Sequence, residues 1–268
     1  IDSNDHLYSL NLPTGLGKTF DVMAFALKLR NIKQNSSHFT PRIIYALPFL
    51  SIIDQNAEIV SQILSINGKP PPTSLLLKHH HLSEPTYEED ELSLGTYTSL
   101  HSNGLSTDYA KILIEGWNSE VIITTFVQVF DTLFGYRNRS LKKLHRMVGS
   151  ILILDEIQSI PIRYWDILNH SFKYLADHWN MTILFVTATQ PEIFSPNEMK
   201  SLVDPNRYFE AVNRISLIPQ LDKKITVKEF AKSIDINNDK SHLFIVNTIK
   251  CAKELYEEIT TLYPDEEI

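Results

Sequence analysis

At 268 residues, 43% hydrophobic and 21% charged, the chain suits a globular protein with a sizeable core, arranged as one large domain or one and a half. A formal net charge of −7 excludes a globally basic nucleic-acid binder, though it leaves room for a local positive groove. The single cysteine, Cys251, excludes an internal disulfide framework, and no stretch approaches the roughly 18 apolar residues of a membrane helix, nor does the N-terminus carry a basic-then-apolar signal, so a cytoplasmic protein without membrane contact is expected.

In chain order, Leu7–Leu12 reads as a strand that runs into a glycine turn, and Thr19–Asn31 reads as the amphipathic helix after it. Arg42–Leu47 is the next strand, followed by a helix over Ile52–Ile66 that Ser51 or Asp54 could begin. Ser74–Leu77 is a further strand; His79, His80 and His81 follow, and Glu84–Leu94 reads as an acidic loop or lid. Three adjacent histidines point in different directions, so this triplet suits a loop near a ligand track better than a metal site. Glu120–Thr124 is a strand leading into a helix at Phe126–Phe134, with Gly135 placed to cap it. Ile151–Leu154 and Thr182–Val186 are two more strands, separated by a helix over Arg163–Trp179 and followed by a short helix near Asn197–Leu202.

This alternation predicts an α/β fold, a parallel sheet with helices on both faces. After about residue 205 the character changes. A linker-like region, Asn206–Lys240, carries a weak strand at Ile225–Val227 and an Asn-Asn-Asp turn at Asn237–Asp239. A fresh strand, His242–Val246, and a helix, Ile249–Leu262, then look like the opening of a second α/β domain. The expected division is therefore 1–205, a linker 206–240, and 241–268. Both ends look cut from something longer.

The chemistry concentrates beyond the carboxyl ends of the strands, where ligands of such sheets bind. In Leu-Pro-Thr-Gly-Leu-Gly-Lys-Thr, Pro13, Thr14, Gly15, Leu16, Gly17, Lys18 and Thr19 lie between strand and helix. Glycines let a backbone approach phosphates closely, the amides and helix N-terminus attract anions, Lys18 adds charge near the β- and γ-phosphates, and Thr19 offers a hydroxyl to magnesium. Leu12 stands where the general pattern has its first glycine. Asp155 and Glu156 follow the apolar run Ile151–Leu154, an order in which the first carboxylate helps hold magnesium and the second orients or deprotonates the attacking water. Together they predict ATP and Mg2+ as cofactors, with Lys18, Asp155 and Glu156 catalytic and Thr19 and Asp155 on the metal.

The same segments, in order, resemble the motifs of a superfamily 2 helicase: Leu12–Thr19, Tyr45–Ser51, Thr124–Thr125, Asp155–Gln158, Thr187–Thr189 and the start of a further motif at Leu243–Thr248. The strings Arg42–Asn56, Leu154–Gln158, Val186–Pro191 and Ile245–Thr248 are similar to the helicase part of the CRISPR-associated helicase-nucleases of type I interference systems. That resemblance implies a RecA-like nucleotide-binding domain plus the beginning of a second one. It implies an ATP-driven motor on single-stranded DNA, acting after a guide-RNA surveillance complex opens an R-loop. It also implies a His-Asp nuclease domain, fused or separate, although this chain has no His-Asp dipeptide, and two later motifs whose arginine would complete the ATP site. Gln158, Thr187 and Thr189 would couple nucleotide state to the DNA track. Pro48, Phe49, Thr124 and Thr125 would line the DNA backbone, with Arg137, Arg139, Lys142, Lys143 and Arg146 as a basic run for phosphates; Phe49 suits the core equally. An RNA helicase of the Asp-Glu-Ala-Asp type and a nucleotide-dependent binding module without motor activity stay open as alternatives.

Overall fold

A computed structural model describes residues 6–37, 39–79, 107–189 and 193–212 of one compact unit, Ile1–Asn213. In a second unit, Arg214–Ile268, it describes residues 216, 218–219, 221, 224–234, 236 and 241–264. The loop Glu84–Leu94, His80, His81, Gln190 and the turn Asn237–Asp239 lie outside the described residues.

Among its described residues the first unit has a seven-stranded sheet in which every pairing is parallel. Its strands are β1 (Leu7–Asn11), β2 (Ile43–Leu47), β3 (Leu76–His79), β4 (Val121–Thr125), β5 (Ile151–Asp155), β6 (Thr182–Thr187) and β7 (Lys200–Ser201), in the order β3-β4-β2-β5-β6-β1-β7. All residues of β2, β4, β5 and β6 are buried, which is why their sequences read as continuous apolar runs and not as alternation.

The pleat divides these side chains between two cores. Ile43, Tyr45, Leu47, Ile151, Ile153 and Leu184 face one side, packed against Val22, Met23, Ala26 and Leu29 of α1 (Lys18–Ser37) and Ile53 and Val60 of α2 (Leu50–Leu64). Ile44, Ala46, Leu152, Leu154 and Ile183 face the other. There they meet Leu113 and Ile114 of α3 (Thr107–Glu115), Phe126 and Val129 of α4 (Phe126–Phe134), and Leu168, Phe172 and Leu175 of α7 (Trp165–Trp179). This is a three-layer α/β sandwich of RecA-like kind. Two single-turn helices, α5 (Asn138–Leu141) and α6 (Leu144–Met147), lead into β5, and α8 (Pro205–Ala211) follows β7.

Several boundaries differ from expectation for local reasons. Helix α1 runs six residues past Asn31 because its polar tail is tied down: Lys33 is buried and donates to Thr182 Oγ1 at 2.6 Å. Helix α2 starts at Leu50 after Phe49 with no side-chain cap, so neither Ser51 nor Asp54 begins it; Asp54 instead pairs with Lys78 at 2.9 Å. Gly135 does end α4, but with φ −77°, not left-handed. Its need for glycine is steric, since a Cβ would sit 2.1 Å from the Asp131 carbonyl oxygen. The short helix expected over Asn197–Leu202 is absent: a single 3-10 turn, Pro196–Glu198, is closed by a reciprocal Ser195–Glu198 capping box, and the chain then pairs with β1 as β7.

In the second unit, Ala231, Leu255 and Ile259 form a small core between α9 (Val227–Ser233) and α10 (Ile249–Leu262). The weak strand expected at Ile225–Val227 is instead the start of α9, because Thr226 and Glu229 cap each other's backbone. His242–Val246 forms no ladder among the described residues, although its exposure alternates as a strand's does: Phe244 and Val246 pack on this core while Leu243 and Ile245 are 85% and 86% exposed.

Candidate nucleotide site

The sheet register sets the ends of β1, β6, β5, β2 and β4 in one row, with Asn11 opposite Thr187, Asp155 opposite Val186, and Leu47 opposite Thr125. The glycine turn opens from β1 on this edge. Gly15 and Gly17 have φ of +82° and +77°, a backbone that a side chain disfavours. The Leu12 amide donates to the Thr187 carbonyl at 3.2 Å, tying the root of the turn to the end of β6.

Lys18 opens α1 and its ammonium donates to Glu156 Oε1 at 3.3 Å. Glu156 adopts φ +58°, ψ +40°, a left-handed conformation that costs a non-glycine residue about 1–2 kcal/mol. Its amide donates to the Val186 carbonyl at 2.9 Å. Its second carboxylate oxygen accepts from the Gln158 amide, and Gln158 Oε1 lies 2.6 Å from the Thr187 hydroxyl. That hydroxyl is also 2.6 Å from the Thr189 carbonyl and has one proton to donate, while the Thr189 amide donates to it at 3.0 Å. Lys18, Glu156, Gln158, Thr187 and Thr189 thus form one continuous polar chain.

Asp155 is buried at the end of β5. Its Oδ2 accepts from the Tyr45 phenol at 2.8 Å, whereas its Oδ1 is buried with no hydrogen-bond partner. Burial raises the Asp155 pKa and the Glu156 charge adds to this, while the Tyr45 hydrogen bond, Lys18 and the Glu156 backbone amide oppose it. Burial first, then the Asp155 charge, hold the Tyr45 phenol well above its ordinary value. Thr19 Oγ1 donates to Asn56 Oδ1 at 2.8 Å. The orphaned Asp155 oxygen and the Thr19 hydroxyl, linked through Tyr45, are both oxygen donors, the kind that suits magnesium held jointly with substrate phosphates. Among the described residues no group of three or more His, Cys, Asp or Glu could hold a metal alone.

The expected site residues therefore fall into two groups. Pro13 to Thr19, Asp155, Glu156, Gln158, Thr187 and Thr189 converge on one edge, and Pro48 and the 57% exposed Phe49 stand on it after β2. Phe49 is consequently not a core residue. Thr124 and Thr125 end β4 there too, but their hydroxyls are engaged inside the protein: Thr124 is fully buried and donates to the His79 carbonyl at 2.8 Å, and Thr125 caps α4 by accepting from the Gln128 amide.

The basic run lies elsewhere. Helix α4 returns from the end of β4, its nine residues covering roughly 13 Å, comparable with the five-residue strand at roughly 3.3 Å each. The backbone after it accordingly returns toward the opposite edge of the sheet, although the Lys143 side chain reaches back to Gln128 in the first turn of α4. Arg146 bonds Asn118 there, just ahead of β4, and Arg139 and Lys142 pair with Glu115 at 3.3 and 3.2 Å. Lys143 is buried, donates to Gln128 and lies 5.2 Å from the Trp117 ring centroid. Four of the five cations are thus engaged by partners within the protein, and Arg137 is exposed ahead of α5. His79 is likewise internal, its Nδ1 accepting from Trp117 Nε1 at 3.0 Å.

Sequence reasoning gave Tyr45 and Asn56 no role of their own, although both lie in the string Arg42–Asn56. Tyr45 is hidden in an apolar run, but Asn56 left a signal: it falls on the buried stripe of α2 with Ile53 and Val60, where an amide needs a partner.

Comparison with known proteins finds a relative in Haloferax volcanii, a CRISPR-associated nuclease/helicase Cas3, 35% identical over 199 residues. The match covers 74% of this chain and 21% of the relative's length. No protein-family model matches the chain.

Proposed function

Since the chain is a Cas3-like CRISPR helicase segment, we propose that it carries the first half of an ATP-hydrolysing site driving movement along single-stranded DNA in type I CRISPR interference. The single observation that carries the reading is the contact between Lys18 and Glu156 at 3.3 Å beside the orphaned Asp155 Oδ1, on the edge where a turn with two left-handed glycines opens.

In this reading the γ-phosphate of ATP replaces Glu156 as the partner of Lys18, and the amides of the turn receive the β-phosphate. Glu156, released from the ion pair, orients a water for attack at the γ-phosphorus. The new P–O bond forms as the bond to the bridging oxygen breaks and the water's proton passes to Glu156 and on to solvent, leaving ADP and phosphate. Thr19 and Asp155 hold magnesium, which when bound screens the phosphate charge. The Gln158–Thr187–Thr189 chain then passes the change at Glu156 to the strand ends, where Pro48, Phe49 and the backbone at Thr125 meet the DNA.

The unit through Asn213 serves as the first RecA-like domain and the second unit as the start of its partner. The surveillance complex, the His-Asp nuclease, the later-motif arginine and a cytoplasmic setting belong to the same proposal. Among the described residues no helix is long and apolar enough to cross a membrane. The test is ATP turnover by the parent protein with single-stranded DNA, RNA or neither. Stimulation by DNA is expected; stimulation by RNA alone would favour the Asp-Glu-Ala-Asp type, and none by either would favour a binding module.

A further inference from the structure

The two polar residues beneath the metal-holding pair determine which of its atoms are free. Asn56 is 6% exposed on the core face of α2. Its amide Nδ2 donates to the Ile52 carbonyl at 3.0 Å. A backbone carbonyl can only accept, so the nitrogen must face Ile52 and the oxygen must face Thr19. The Thr19 hydroxyl donates to this oxygen at 2.8 Å, and with its proton there its lone pairs are left as acceptors. Tyr45, fully buried on β2, acts in the same way on the carboxylate. Its phenol occupies Oδ2 of Asp155 at 2.8 Å and leaves Oδ1 without a partner. The Tyr45 phenol, its own proton on Asp155, is a second acceptor at the Thr19 hydroxyl, so the four side chains form one connected group in which the 2.8 Å contact to Asn56 takes the Thr19 proton.

We infer that Asn56 and Tyr45 are positioning residues for the magnesium of a bound nucleoside triphosphate, Asn56 by turning the lone pairs of Thr19 outward and Tyr45 by presenting Oδ1 of Asp155. The inference rests on the ATP reading of the site. Both residues spend polar groups in a core otherwise filled with Ile53, Val60, Ile43 and Leu47. Their burial is compensated by hydrogen bonds, Asn56 to Ile52 and Thr19 and Tyr45 to Asp155, two of which end on the side chains expected at the metal. Outer partners of this kind tune metal affinity through ligand orientation.

The test is magnesium titration of a fluorescent N-methylanthraniloyl-ATP complex of the full chain, beginning in EDTA, for Asn56→Leu and Tyr45→Phe. Each variant is expected to raise the magnesium concentration at half-saturation by about 10-fold or more, with nucleotide affinity in EDTA unchanged. An unmoved midpoint overturns the assignment for that residue. Equal losses with and without magnesium indicate a purely structural role and overturn it too. If nucleotide binding by the unmutated chain is indifferent to magnesium, the ATP reading itself fails, a result read without either variant.

Discussion

Replacing Lys143 by methionine tests whether the basic run after α4 is architecture. The ammonium is buried, held by Gln128 and near the Trp117 ring, and burial lowers its pKa to about 8, with Arg139 adding to the effect and Asp131 and Glu115 opposing it. An unfolded lysine titrates near its ordinary value of 10.5. Below pH 8 both states hold the proton and the unfavourable burial of charge is constant. Between pH 8 and 10.5 the unfolded chain keeps a proton that the folded chain has released, so stability rises with pH at up to about 1.4 kcal/mol per pH unit. Lys143→Met lacks this titration. Urea unfolding of both proteins from pH 7 to 9.5 should show the unmutated chain gaining about 2 kcal/mol relative to the variant. A difference that stays flat with pH would refute the burial argument.

Two further substitutions probe particular contacts. Gly135→Ala puts a Cβ 2.1 Å from the Asp131 carbonyl and should cost about 1–3 kcal/mol in urea unfolding; unchanged stability would show that the end of α4 gives way freely. Thr124→Val removes the hydroxyl donated to His79 and should cost about 1 kcal/mol while leaving DNA stimulation of ATP turnover intact. Loss of stimulation at native stability would return that hydroxyl to the DNA path.

Much of this architecture could be read in the chain because a parallel sheet buried on both faces leaves uninterrupted apolar runs such as Ile151–Leu154. The glycine turn was equally visible, since Gly15 and Gly17 answer a backbone requirement that few other residues meet. What escaped depends on partners distant in sequence. Lys143 and Arg139 belong to one basic run to a reader of composition, but Trp117 and Gln128 bury one while Glu115 pairs the other. His79 resembles the start of a metal site until Trp117 takes its Nδ1. At Val227–Ser233 and Pro196–Glu198, short capping boxes overrode β propensity and helix expectation respectively. His242–Val246 has the alternation of a strand, yet strand formation requires a neighbouring ladder. Tyr45 and Asn56 were overlooked because their function lies in the hydrogen bonds they direct to Asp155 and Thr19.

The most direct measurement is steady-state ATP hydrolysis by the parent protein with saturating single-stranded DNA, for the unmutated protein, Lys18→Ala and Asp155→Asn. If Lys18 exchanges Glu156 for the γ-phosphate and Asp155 presents Oδ1 to magnesium, each variant should lose about 100-fold or more in turnover. Unchanged turnover in either correctly folded variant would contradict the assignment of this edge of the sheet as the hydrolytic site.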